Sequence, residues 1–187
     1  AFPALPLYHF RLSIDPKRFV FQGKKKKQLC FSRIKNQQDA MQVINILKFR
    51  GVLKDFEIVP FINIPQTEVA RIYQESLLFL SFGYPEGFGL PAAEAMACGC
   101  VVIGFHGGGG REFFKPEFSY PIEQGDIIGF ARTVEEVIQS FERDPASILE
   151  KGRLAANYIR EQYSTELEEK EVIGAWNSIL SKFKRIN

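Results

Sequence analysis

The chain has 187 residues, 45% hydrophobic and 25% charged, a balance that suits one globular domain with a sizeable core. Its formal net charge of +2 is too small to argue for nucleic acid as a partner. No window approaches the roughly 18 uncharged apolar residues that a membrane-spanning helix needs.

In chain order, residues 1–10 ("AFPALPLYHF") lack a basic leader region and a cleavage site, so no signal peptide is expected. The chain opens without Met in what reads as a strand, which suggests a fragment of a longer protein. "KKKK" at 24–27 reads as a solvated turn, and four lysines are thin evidence for a membrane surface. "QLCFS" (28–32) predicts a strand, and the following segment places Ala40, Val43, Ile44 and Leu47 on one helical face, with Gly51 as a stop. "FEIVPFI" (56–62) predicts a second strand, and "PQTEVARIYQES" a helix opened by Pro65. "LLFLSF" (77–82) is a strand apolar on both faces. "LPAAEAMACG" is a short helix with Pro91 near its start and Gly99 at its end. "CVVIG" is a fourth strand and "FSYPI" a weak fifth. Beyond Gly125 the pattern is helical.

Continuously apolar strands alternating with helices predict an α/β fold, a Rossmann-like parallel sheet with helices on both faces, spanning residues 1–187 as one domain. The three cysteines, Cys30, Cys98 and Cys100, form no disulfide framework, and with His9 and His106 they make no zinc spacing. They read as buried thiols in a reducing compartment.

Ligands of such sheets bind outside the carboxyl ends of the strands. Three loops leave those ends. "SRIKN" (32–36) offers Arg33 and Lys35, which could hold a phosphate, although alone they read as ordinary solvated charge. "GYPEGFGLP" (83–91) has Gly83, Gly87 and Gly89 and opens a helix near Leu90, whose free amides and positive dipole end suit a phosphate. Glu86 and Glu94 bracket this loop with seven residues between them. Glu94, read as lying in the first helical turn, either complements the dipole or accepts hydrogen bonds from a diol. "FHGGGGRE" (105–112) is either a flexible turn or a close backbone approach to a ligand beside His106 or Arg111. There is no P-loop, G-x-G-x-x-G, H-E-x-x-H or G-x-S-x-G motif.

The block "EGFGLPAAEAMACGCVVIG" resembles the signature of glycosyltransferase family 4, the retaining enzymes of the GT-B fold. "GGGGRE" resembles that family's following glycine loop, "SIDPKRF" (13–19) the segment opening its C-terminal domain, and "CFSRIKN" its phosphate-binding strand end. The resemblance implies the C-terminal, donor-binding half of a GT-B enzyme, with a helical segment from about 145 to 187 and without the N-terminal acceptor domain, toward which the final helices (about 145–183) would pack back. It implies that the backbone of Gly87, Phe88, Gly89 and Leu90, with Gly107 and Gly108, meets the donor. Glu86 would bind the transferred sugar, Glu94 the ribose, and Arg33 the diphosphate. The family's phosphate-binding Lys would fall at Gln38 or Asp39, and Lys35 takes its place if the loop is shortened.

The activity implied is retaining transfer of a hexose-type sugar from a nucleotide diphosphate sugar to a hydroxyl. No metal or other cofactor and no nucleic acid is implied. Nucleotide-sugar chemistry implies a cytoplasmic location, and peripheral membrane association stays open. The alternatives are an epimerase-like GT-B enzyme, with Glu86, His106 or Glu112 as acid or base, and a non-catalytic nucleotide-sugar-binding module.

Overall fold

The structure, a computed structural model, describes residues 7–183. Its elements follow in the order β1 (Lys26–Ser32), α1 (Gln37–Phe49), β2 (Glu57–Phe61), α2 (Gln66–Glu75), β3 (Ser76–Ser81), α3 (Leu90–Ala97), β4 (Val101–Phe105), a 3₁₀ turn (Gly109–Glu112), β5 (Ser119–Ile122), α4 (Ile127–Arg143), α5 (Pro145–Gln162) and α6 (Thr165–Phe183). The five strands form one sheet in the order β2-β1-β3-β4-β5, and every neighbouring pair is parallel. Parallel neighbours need crossovers, and the helices supply them on both faces.

Strand alternation sorts the core into two layers. Leu29 and Phe31 of β1, Leu78 and Leu80 of β3, and Val101, Ile103 and Phe105 of β4 face one layer. There they meet Val43 and Leu47 of α1 and Phe130 and Val134 of α4. Cys30, Phe79 and Val102 face the other layer, against Tyr73 of α2, the alanines of α3 and Ala155 and Ile159 of α5. Both faces are therefore dry, as the apolar runs predict. Each buried Leu, Ile or Phe contributes about 1.5–3 kcal/mol of burial free energy. All three cysteines are free and buried.

Two expectations need correction. First, the lysine run is not simply a turn, because Lys26 and Lys27 already belong to β1. Lys25 is half-buried, and its Nζ donates to Tyr73 O at 2.8 Å and Cys98 O at 2.7 Å, serving carbonyls at the ends of α2 and α3. Second, residues 7–25 hold neither strand nor helix, so the strand expected at the chain start is missing from 7–10, while residues 1–6 lie outside the described residues. This segment is tied to the C-terminal helices. Ile14 N donates to Tyr163 O at 2.9 Å, and Arg11 N donates to Glu171 Oε2 at 2.8 Å. Of the C-terminal helices, α5 buries Ala155 and Ile159 against this sheet. α6 follows it to Phe183, and residues 184–187 of the expected helical tail lie outside the described residues. Among the described residues no helix is long and apolar enough to cross a membrane.

Candidate functional site

A cavity of about 400 Å³ opens at the carboxyl ends of β1, β3 and β4. Its lining includes Ser32, Lys35, Phe82, Glu86, Leu90 and His106. The strand order puts the first, second and third loops side by side there, since β1, β3 and β4 are neighbours in the sheet.

The two glycine loops are zipped together by their backbones. Glu86 N donates to Gly107 O at 2.8 Å, and Gly109 N donates to Glu86 O at 3.2 Å. That pairing sets the glycine requirement. A methyl group on Gly109 would lie 2.1 Å from Gly87 O. Gly107 has φ +68°, and a methyl there would lie 2.7 Å from Glu86 Cβ. The glycine run therefore lets one loop lie flush on the other and fixes the backbone of Glu86.

The cation loop is clipped to the same place. Lys35 Nζ lies 3.0 Å from Glu86 Oε1 and donates to Pro85 O at 2.7 Å. Asn36 Nδ2 donates to Phe82 O at 2.8 Å and Tyr84 O at 3.2 Å. Asn36 is left-handed, with φ 46° and ψ 46°, and starts α1. Asn is among the few residues that tolerate this conformation. The turn it makes carries Lys35 into the cavity.

Helix α3 begins at the cavity wall. No side chain caps it, Pro91 has no N–H, and Ala92 and Ala93 donate back to Gly89 O at 3.1 and 3.2 Å. The amides of Phe88, Gly89 and Leu90 donate to nothing among the described residues. Free amides at a helix start attract anions. His106 Nδ1 accepts from Gly108 N at 3.0 Å, which leaves Nε2 as the protonated nitrogen of the neutral ring.

The expected residues fall into two groups. Lys35, Glu86, Phe88, Gly89, Leu90 and His106 line the cavity. Arg33, Gly87, Glu94, Gly107, Gly108, Arg111 and Glu112 lie outside its lining. Arg33 is exposed, with its amide donating to Phe61 O at 2.9 Å, and its guanidinium pairs with nothing among the described residues. Glu112 turns away to His9, 3.0 Å distant. Glu94 is not in the first turn of α3, since the helix starts at Leu90 and places it in the second. It is mostly buried, and desolvation pushes its carboxyl up to about 7, with the nearby Arg18 charge opposing the rise. Sequence reasoning missed the clip made by Asn36 and the lining residues Ser32 and Leu12. The Asn at a strand-to-helix turn was the one available signal.

Comparison with known proteins gives a consistent picture. The family model described as "Glycosyl transferases group 1" matches residues 12–154. An "Alpha-1,6-glucosyltransferase" of Actinobacillus pleuropneumoniae serotype 7 is 34% identical over 122 residues, which cover 61% of this chain and 36% of that protein. The chain spans about a third or less of the length of the curated relatives it matches, at 36%, 28% and 24%. Among solved structures, a mutant of S. aureus TarM in complex with fondaparinux, alpha-GlcNAc-glycerol and UDP superposes with TM-score 0.64 at 17% identity, covering 91% of this chain and 38% of that one. The C-terminal domain of a glycosyl transferase group 1 family protein (LpcC) of Francisella tularensis gives TM-score 0.61 at 17% identity, covering 82% of this chain and 100% of that one. These likenesses establish the α/β GT-B fold, as the strand pattern and signature block predicted.

Proposed function

The chain belongs to the glycosyl transferases of group 1, and on that premise we propose that it is the C-terminal donor-binding domain of an enzyme that transfers a hexose-type sugar, with retention, from a nucleotide diphosphate sugar to a hydroxyl acceptor. What supports this most is one cavity that gathers a cation, a carboxylate and a row of free amides at the carboxyl edge of a parallel sheet. UDP in the TarM complex makes a nucleoside diphosphate a reasonable first ligand to test.

In this reading Lys35 and the amides of Phe88, Gly89 and Leu90 hold the diphosphate. They stabilise the charge that grows on it as the bond from the sugar carbon to the phosphate oxygen breaks. One such preorganised donor is worth about 3 kcal/mol of barrier. Glu86 accepts hydrogen bonds from hydroxyls of the sugar, and Glu94, farther along α3, from the ribose. The acceptor oxygen bonds to the same face of the sugar carbon, and its proton passes to the departing diphosphate. The chain supplies no covalent nucleophile in this scheme. The other wall of the cleft and the acceptor site fall to the N-terminal domain, so the 187-residue chain binds donor but turns over nothing.

A thermal-shift series with UDP, GDP, ADP and their sugar conjugates tests the reading, with Glu94→Ala as control. A rise in midpoint with one nucleotide, lost in Glu94→Ala, is the expected result. No shift with any of them, in this chain and in the full-length protein, would sink the donor-site assignment.

A further inference from the structure

We infer that Lys35 is an exchangeable lock: in the empty site it neutralises Glu86, and a donor diphosphate draws it away, so that phosphate binding is what frees the Glu86 carboxylate for the transferred sugar. This rests on the donor-site reading above and adds an order of events to it.

Four observations carry it. Lys35 is the sole side-chain partner of the Glu86 carboxylate among the described residues, at 3.0 Å. The pair is open to solvent, with the Lys35 side chain 41% exposed and that of Glu86 21%, and the one other bond of the ammonium among the described residues, to Pro85 O at 2.7 Å, is exposed as well. Exposed pairs of this kind are weak and exchange readily. A diphosphate carries more negative charge than one carboxylate, and it would sit within reach of the same ammonium.

The loop does not depend on the ion pair for its place. Asn36 holds it separately, through the carbonyls of Phe82 and Tyr84. The lysine side chain can therefore leave while its backbone stays. Glu86, in contrast, cannot follow. Its backbone is zipped to Gly107 and Gly109. An added methyl on Gly83 would lie 2.7 Å from Glu86 Oε1, so the carboxylate fills the space that this glycine leaves. One member of the pair is free to move and the other is fixed. That asymmetry makes Lys35 the exchanging partner.

The consequence is a coupling between the two halves of the donor. A free sugar meets a Glu86 already occupied by Lys35, while a sugar joined to a diphosphate meets a Glu86 released by its own phosphates. The site thus favours the intact donor over free sugar before any acceptor arrives.

A double-mutant cycle tests this on the whole chain. Binding of UDP, GDP and ADP, which carry the ribose but no transferred sugar to touch Glu86, is measured by calorimetry for wild type, Glu86→Gln, Lys35→Met and the double variant. Circular dichroism checks that each variant is folded. The expected result is that Glu86→Gln binds the nucleoside diphosphate about threefold to tenfold more tightly than wild type, or about 0.7–1.4 kcal/mol. In the Lys35→Met background the same change should gain little, because there is no lock left to open. An equal gain in both backgrounds would mean plain repulsion between Glu86 and phosphate, and no gain in either would mean the pair costs the ligand nothing. Both results overturn the exchange while leaving the donor site standing. If none of the three binds wild type or any variant, the donor-site reading itself falls, and the exchange with it.

Discussion

Replacing Glu94 by Gln separates a cost carried by the empty site from the function it serves. Glu94 is the fifth residue of α3, mostly buried, and its carboxyl titrates at about 7 in the folded chain against an ordinary 4.5. The cause is desolvation, only partly offset by Arg18. A raised carboxyl value means that the folded chain holds its proton more tightly than the unfolded chain. Below pH 4.5 both states are protonated and the site costs nothing. As pH rises from 4.5 to about 7 the unfolded chain ionises first, and folding stability falls across that window. Each pH unit of the interval is about 1.4 kcal/mol, so the ionised carboxylate costs the fold on the order of 3–4 kcal/mol above neutrality. Gln is isosteric and never ionises. Glu94→Gln should therefore come close to wild type near pH 4.5 and exceed it by about 6–16 °C in Tm at pH 8. Melting curves of both proteins, read as their difference from pH 4.5 to 8, make the assay. The same variant should bind nucleotide more weakly at pH 8, because an amide is a poorer acceptor for a diol than a carboxylate. A Tm difference that stays flat with pH would refute the desolvation argument. A stabilised variant with undiminished nucleotide binding would keep the burial but remove Glu94 from the ribose.

Three further outcomes follow from the geometry. Gly109→Ala should lower stability by about 1–3 kcal/mol, seen in denaturant melts, and abolish nucleotide binding, because its methyl would meet Gly87 O at 2.1 Å. Lys35→Ala should weaken binding of a nucleoside diphosphate about tenfold and Arg33→Ala only about threefold, because Lys35 lines the cavity and Arg33 does not; titration calorimetry that reversed this order would return the phosphate to Arg33. Cys30, Cys98 and Cys100 should all resist a thiol reagent in the native chain and all react in denaturant, since each is buried, and rapid native labelling of any one would show that its layer opens.

The fold was legible because its signal is redundant. β3, apolar between its terminal serines, and β4 are buried at every position, which only a sheet covered on both faces can accommodate, and Gly51 and Gly99 mark helix ends with positive φ. β2 was the looser case. Its residues Ile58 and Val59 are only half-buried because it lies at the sheet edge, and it is shorter than its apolar run. Around the site the signal was local and thinner. Which of Arg33 and Lys35 enters the cavity depends on the left-handed turn at Asn36, and two cations two residues apart carry no period that fixes it. Lys25 looked like part of a charge run because its use is tertiary, as its two carbonyl partners sit about 50 and 70 residues away along the chain. The misplacement of Glu94 had a different root: the start near Leu90 was read correctly, but at 3.6 residues per turn the fifth residue already belongs to the second turn.

That correction changes what the pair of glutamates can do. With Glu94 four residues beyond Leu90, the helical rise places it about 6 Å along the axis from the Leu90 amide. Glu86 lies on the loop before that amide, so the anion-attracting helix start stands between the two carboxylates. Two like charges beside one phosphate would oppose binding, but each is muted in the empty site by a different device. Glu86 is neutralised by Lys35, and Glu94 is held near its titration point by burial. A ligand with hydroxyls at both ends and negative charge in the middle satisfies all three features at once. A bare phosphate relieves only the centre, and a free sugar only one end. On the donor-site proposal, such a linear ligand would therefore be favoured over either of its parts, since it alone would engage the helix amides and both carboxylates together.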